Sequence, residues 1–196
     1  LWKAKSFSIR GGDKMAIIGS NGTGKTTFIK KIVHGNHGIS LSPSVKIGYF
    51  SQKIDTLELD KSILENVQSS SQQNETLIRT ILARMHFFRD DVYKPINVLS
   101  GGERVKVALT KVFLSEVNTL VLDEPTNFLD MEAIEAFESL LKEYNGSIIF
   151  VSHDRKFIEK VATRIMTIDN KEIKIFDGTY EQFKQAEKPT RNIKED

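Results

Sequence analysis

The sequence predicts an α/β fold: a mainly parallel sheet with helices on both faces, an antiparallel β part at the N-terminus and an inserted helical subdomain. Three observations carry that reading. A glycine loop, Gly19 to Thr27, lies between the mostly apolar run Lys14 to Ile18 and a stretch of helical spacing. Two later apolar runs, Thr119 to Leu122 and Ile148 to Val151, each stop on polar residues. A second helical pattern separates those runs, and short continuous apolar runs alternating with helices are the mark of strands buried on both faces of a parallel sheet.

Taken in order, Trp2 to Ile9 and Lys14 to Ile18 are expected as strands joined by the turn Arg10-Gly11-Gly12-Asp13. Phe28 with Ile32 and Ile29 with Val33 repeat at i, i+4 and mark the first helix. His34 to Gly38 breaks it, and Val45 to Phe50 forms the next strand, closing on Ser51-Gln52. No metal site is read into His34 and His37, which sit in a glycine loop without a third ligand nearby. From Lys53 to Val98 the spacing is helical: Ile63, Leu64 and Val67, then Leu77, Ile78, Ile81, Leu82, Met85 and Phe88, with the polar stretch Ser69 to Asn74 between them. Val105, Ala108, Leu109 and Val112 make a further helix face, as do Ile134, Phe137, Leu140, Leu141 and Tyr144. Arg164 to Ile168 and Lys171 to Phe176 read as a terminal hairpin. The expected organisation is one domain over residues 1–183 with a helical subdomain at about 53–110 inserted, and a charged tail over 184–196 that is frayed or begins a further segment.

Composition narrows the function classes. The 196 residues, 39% hydrophobic and 28% charged, suit one soluble globular domain. No apolar run approaches the roughly 18 residues of a membrane span, so direct membrane insertion is not expected. A net charge of +2 is too small to argue for nucleic acid. The absence of cysteine excludes disulfides and thiolate zinc sites and fits a reducing, cytoplasmic compartment. The chain begins at Leu1 without methionine or signal peptide and enters a strand-like pattern at once, as a piece of a longer protein would.

The chemistry gathers at strand ends. Gly19, Gly24, Lys25 and Thr26 occupy the fixed positions of G-x-x-x-x-G-K-[ST], in the strand, loop, helix context that pattern needs. Glycines turn the backbone so that successive N–H groups point into one concavity, and the helix N-terminus adds partial positive charge for a polyphosphate. Lys25 is expected to reach the β and γ phosphates and Thr26 to place its hydroxyl on Mg²⁺. Asn21, Gly22, Thr23 and Thr27 complete the phosphate loop. Asp123 ends an apolar strand, as a residue holding Mg²⁺ directly or through water must, and Glu124 is placed to take a proton from water or orient it. Paired acids also occur as helix N-caps, and Pro125 makes a turn plausible. His153 follows the next strand by one residue, and Gln52 sits at a strand end where its amide could join Mg²⁺ or the attacking water. Ser100-Gly101-Gly102-Glu103 has the spacing of a capping box, yet its two glycines leave a helix N-terminus open enough to meet a second phosphate.

Those residues together resemble the ATP-binding cassette (ABC) superfamily of P-loop NTPases over almost the whole chain. Gly19 to Thr27 resembles the Walker A loop, Gln52 the Q-loop and Leu99-Ser100-Gly101-Gly102-Glu103 the signature motif. Leu120 to Glu124 resembles the Walker B strand with its catalytic glutamate, His153 the switch histidine and Asp130 the D-loop aspartate. Within the superfamily, Glu124-Pro125-Thr126-Asn127-Phe128-Leu129-Asp130 is similar to the stretch of the ABC-F proteins, with Phe128 where many members carry histidine. Val151 to Arg155 and Gly178 to Phe183 also look like the carboxy-terminal cassette of that subfamily, and the chain most resembles the second cassette of the Vga group. The resemblance implies an ATPase with ATP and Mg²⁺ as cofactors, in which Glu124 and His153 are catalytic and Thr26, Gln52 and Asp123 surround the metal. It implies that Ser100, Gly101 and Gly102 contact ATP held by a second cassette and that Asp130 couples the two sites. It further implies action on the ribosome, giving protection from streptogramin A, lincosamide and pleuromutilin antibiotics. Trp2 aligns better with a core position of the first strand than with an adenine-stacking aromatic.

Three other readings remain open at this point. An ATPase subunit of a membrane transporter, such as a drug exporter, needs a surface groove for its partner. A DNA-repair ATPase of the structural-maintenance type needs a long coiled coil between Gln52 and Leu99, for which there is no room. A regulatory cassette that binds ATP without turnover is disfavoured by Lys25, Asp123 and Glu124 being present.

Overall fold

The three buried runs around which the sheet is built become β2 (Lys14–Ile18), β4 (Thr119–Asp123) and β5 (Ser147–Val151), the last two buried at every residue. The computed structural model describes residues 3–4, 6–35, 38–51, 56–169 and 172–187. Within them the other strands are β1 (Lys3–Ala4), β3 (Ile47–Phe50), β6 (Arg164–Asp169) and β7 (Glu172–Asp177), in the spatial order β1-β7-β6-β2-β5-β4-β3. The helices are α1 (Lys25–Val33), α2 (Ile63–Gln68), α3 (Glu75–Arg84), α4 (Gly101–Leu114), α5 (Met131–Glu143), α6 (Arg155–Val161) and α7 (Tyr180–Glu187).

Pairing is parallel throughout except between β6 and β7, the terminal hairpin. The antiparallel part expected at the N-terminus is therefore found at the C-terminus among the described residues. The described β1 is two residues long and pairs parallel with the outer edge of β7, because β6 already occupies the inner edge. Ser6 to Arg10 are not a strand, although the turn closing on Asp13 forms, with Asp13 N–H donating to Arg10 O. Trp2 lies outside the described residues, as do His37 and Gln52.

Apolar residues fill both sides of the sheet. Phe28, Ile29 and Ile32 of α1 cover one face together with Met15, Ile17, Val121, Ile149 and Val151. On the other face Ala16, Leu120, Leu122 and Phe150 meet α4, α5 and α6 through residues such as Leu109, Phe137 and Phe157. The period of two along each strand thus sends alternate side chains to two separate helical layers.

The helical region forms where the spacing predicts it, with two differences. Leu77 and Phe88 are exposed, while Ile78, Ile81, Leu82 and Met85 are buried. Helix α3 stops at Arg84, His86 adopts φ 68°, and Phe88 falls beyond the helix, where its register no longer points inward. The fully buried Asn66 ties the region together: its amide donates to Glu58 O and Ser62 O, both at 3.0 Å, and its carbonyl accepts from Glu58 N–H at 2.8 Å. At the C-terminus Lys184 to Glu187 continue α7, whose Phe183 is buried, so the start of the charged segment is helical; residues 188–196 lie outside the described range.

Candidate functional site

Register brings the strand ends to one edge. Ile17 pairs with Val151, and Val151 pairs with Asp123, so the loop after β2, the residue after β4 and the turn after β5 emerge side by side. That is the edge where parallel sheets bind ligands. A cavity of about 440 Å³ lies there, lined by Asn21, Gly22, Gly24, Lys25, Thr26, Thr27, Glu124, Asn127, Val151 and His153.

The loop is shaped by its glycines and by its own lysine. Gly24 caps α1 at φ 94°, a left-handed conformation that costs a residue with a Cβ about 1–2 kcal/mol. The first turn of α1 carries no acidic residue, which leaves its dipole unopposed. Lys25 is buried, and its ammonium donates to Gly19 O and Ser20 O at 2.9 Å each. The Thr23 hydroxyl donates to Ser20 O at 3.0 Å and belongs to the loop's own bracing, not to the cavity lining.

The two acids have different surroundings. Asp123 Oδ1 accepts from the Thr26 hydroxyl at 3.2 Å. Burial pushes the Asp123 carboxyl above the ordinary carboxylate range, opposed by that hydrogen bond and by the cations Lys30 and Lys25. Two hard oxygen donors in contact, with cations nearby that a bound anion would neutralise, form a donor set suited to Mg²⁺. Glu124 breaks from the strand at φ 52°, a sparsely populated conformation for a residue with a side chain, and its backbone N–H donates to Val151 O at 3.0 Å. Its carboxylate is held on both oxygens by one residue: His153 N–H donates to Oε2 at 3.2 Å, and His153 Nε2 lies 3.3 Å from Oε1. Burial also raises Glu124, opposed by His153 and reinforced by Asp123, which moves it toward the range of a base at neutral pH.

Asn127, which the sequence reading passes over, lines the same cavity and donates its N–H to Glu124 O at 3.2 Å. Its place three residues after Glu124, in a turn opened by Pro125, is the signal that could have found it.

Ser100, Gly101, Gly102 and Asp130 are not among the residues lining this cavity. The capping box forms in full: Glu103 Oε2 accepts from Ser100 N–H at 2.8 Å and from its hydroxyl at 2.7 Å, and Ser100 Oγ accepts from Glu103 N–H at 3.3 Å. Asp130 N-caps α5, accepting from Ala133 N–H at 2.7 Å. The segments meet nonetheless, since a Cβ on Gly102 would come within 2.7 Å of Phe128 O. Phe128, at φ 67°, presents an exposed ring.

The ABC transporter family model matches residues 2–127, and the chain belongs to that family. It is 34% identical to "ABC transporter F family member 5" of Arabidopsis thaliana, over 93% of this chain and 28% of that protein. It is 39% identical to the "Erythromycin resistance ATP-binding protein MsrA" of Staphylococcus epidermidis, over 81% of this chain and 32% of that one. The "Ribosome protection protein VmlR" of Bacillus subtilis is 36% identical, with 87% and 32% covered. The chain spans about a third of the length of these curated relatives. Among solved structures the RNase-L Inhibitor superposes with a TM-score of 0.76 at 24% identity, covering 93% of this chain and 38% of that one. A cassette solved as a dimer after hydrolysis, with ADP and Pi bound, superposes with a TM-score of 0.68 at 20% identity, covering 87% and 88%. Both are likenesses of fold.

Proposed function

We propose that residues 1–183 form one nucleotide-binding domain that hydrolyses ATP as half of a paired site in an ABC-F protein acting on the ribosome. The observation that carries this reading is the single cavity shared by Lys25, Thr26, Glu124 and His153. Asn21, Gly22, Gly24, Lys25 and Thr27 would hold the phosphates. Thr26 and Asp123, with Gln52, would hold Mg²⁺, which when bound offsets the charge of the β and γ phosphates. Glu124 accepts a proton from the attacking water, and His153 orients the Glu124 carboxylate and faces the γ phosphate.

Ser100, Gly101 and Gly102 serve the ATP of a second cassette, either in the same full-length chain or in a second copy, and Asp130 joins the two sites. Their separation from the cavity supports this division of labour. The likeness to a ribosome protection protein supports the ribosome as partner and a cytoplasmic location. Protection from streptogramin A, lincosamide and pleuromutilin antibiotics, as in the Vga group, is the finer form of the same proposal. In the full-length protein Glu124→Gln is expected to keep ATP binding, lose hydrolysis and pellet with ribosomes in ATP. A Glu124→Gln protein that pelleted no better than an ATP-free control would end the ribosome reading.

A second reading, the ATPase subunit of a transporter, is favoured by a surface groove of about 800 Å³ between α3 and the segment after it, lined by Thr76, Arg79, Thr80, Phe87 and Phe88 among others. Recovery of a transmembrane partner with the full-length protein would support it.

A further inference from the structure

Lys106 is a buried cation that the proposed chemistry leaves unused. It stands four residues after Gly102 on α4 and so on the same side of that helix, where Gly102 approaches Phe128 O. Its ammonium lies over the Phe87 ring, 5.3 Å from the centroid, and 3.9 Å from Asp130 Oδ2. The Glu103 carboxyl is held below its ordinary range first by the hydrogen bonds it accepts from Ser100 and then, against a smaller effect of burial, by the charges of Lys106 and Lys94. Burying an ammonium is unfavourable unless an anion or an aromatic face compensates it, and Lys106 has both.

The two carboxylates around Lys106 serve different segments. Glu103 holds the start of α4 through the Ser100 N–H and hydroxyl. Asp130 closes the segment that begins at Glu124, in which Asn127 N–H donates to Glu124 O and Leu129 N–H to Thr126 O, and its Oδ1 caps α5. The Gly102 contact with that segment is hard packing, whereas 3.9 Å from an ammonium to an exposed carboxylate is an electrostatic tether that can shorten or lengthen. We propose that Lys106 is a positioning residue: by drawing Asp130 toward α4 it fixes the Ser100-Gly102 turn against the segment that follows Glu124. Turnover in this cassette's own cavity is thereby linked to contact with the second cassette's ATP. This inference rests on the proposed roles of Asp130 and of Ser100 to Gly102.

The test uses the full-length protein and its Lys106→Met, Lys106→Arg, Asp130→Asn and Lys106→Met/Asp130→Asn variants, assayed at a temperature where thermal melts show every one of them folded. Asparagine caps a helix as well as aspartate does, so Asp130→Asn removes the charge and keeps the α5 cap. Lys106 does not line the cavity, and Lys106→Met is expected to bind a fluorescent ADP analogue as the parent does. Its kcat for phosphate release should fall about fivefold, within the range by which residues between two coupled sites alter their coupling, while Lys106→Arg stays within about twofold of the parent. The double variant should fall no further than the more impaired single one, because both substitutions remove one interaction. Losses that add in the double variant, a Lys106→Arg as impaired as Lys106→Met, or weakened ADP binding in Lys106→Met would each overturn the inference. An unchanged kcat in Lys106→Met beside a lowered one in Asp130→Asn overturns the role of Lys106 and leaves that of Asp130 intact. If Asp130→Asn leaves kcat unchanged, the reading of Asp130 fails and this inference with it.

Discussion

His153 holds Glu124 twice, once through its ring, with Nε2 3.3 Å from Oε1, and once through its backbone N–H, 3.2 Å from Oε2. The backbone bond survives any substitution at position 153, so the two contributions can be separated. Replacing His153 by Ala is expected to leave nucleotide affinity nearly unchanged and to lower phosphate release by about 10²-fold, the lower end for a lost acid–base partner. Equilibrium binding and steady-state phosphate assays on the full-length protein check this.

Asp123 yields a pH prediction. Its folded-state pKa is raised by burial, so the unfolded chain loses that proton first as pH rises. The contribution is favourable below the ordinary aspartate range, falls as pH climbs through the raised folded value, and stays unfavourable at neutrality. Asp123→Asn keeps an acceptor for Thr26 and removes the charge. The stability gap in favour of Asn is expected to widen from about pH 4 upward and then level off, as read by urea denaturation across pH.

Gly101 and Gly102 stand next to each other at the start of α4 with opposite expectations. A Cβ at Gly101 meets nothing within 4 Å, and alanine there should be neutral or slightly stabilising through helix propensity. A Cβ at Gly102 meets Phe128 O at 2.7 Å, which is backbone and cannot swing away. Gly102→Ala should cost about 1–3 kcal/mol, with Gly101→Ala as the control in the same denaturation series.

Asn66 is buried inside the turn it braces, and its loss strands Glu58 N–H and takes one of two donors from each of Glu58 O and Ser62 O. Asn66→Ala is expected to lower stability by about 2–3 kcal/mol without altering nucleotide affinity, because none of its partners lines the cavity. Thermal melts with and without nucleotide separate the two effects.

Much of this architecture is legible because parallel strands buried on both faces must be continuous apolar runs, as in Thr119 to Leu122 and Ile148 to Val151. Their polar ends then have one place to gather. Local hydrogen-bond spacing is equally readable, and Ser100 with Glu103 forms the box its spacing predicts. What is not legible depends on distant partners or on backbone angle. The pairing of β1 with β7 joins opposite ends of the chain, and no local pattern encodes it. The positive φ of Glu124 and Phe128 belongs to residue types that disfavour it, so tertiary packing decides it. The exposure of Leu77 and Phe88 follows from where α3 ends, a boundary periodicity sets only loosely. Asn127 is within reach of sequence reading by its spacing from Glu124, but its place in the site is fixed only by the cavity it lines.

The Lys25 ammonium, resting on Gly19 O and Ser20 O, makes the phosphate loop its own substitute ligand. An incoming phosphate competes with two carbonyls for that cation instead of condensing a formless loop around itself. Association should therefore carry little ordering entropy, and the gain in melting temperature on adding nucleotide should track occupancy through mass action. A loop braced in this way keeps its shape whether or not a phosphate sits in it.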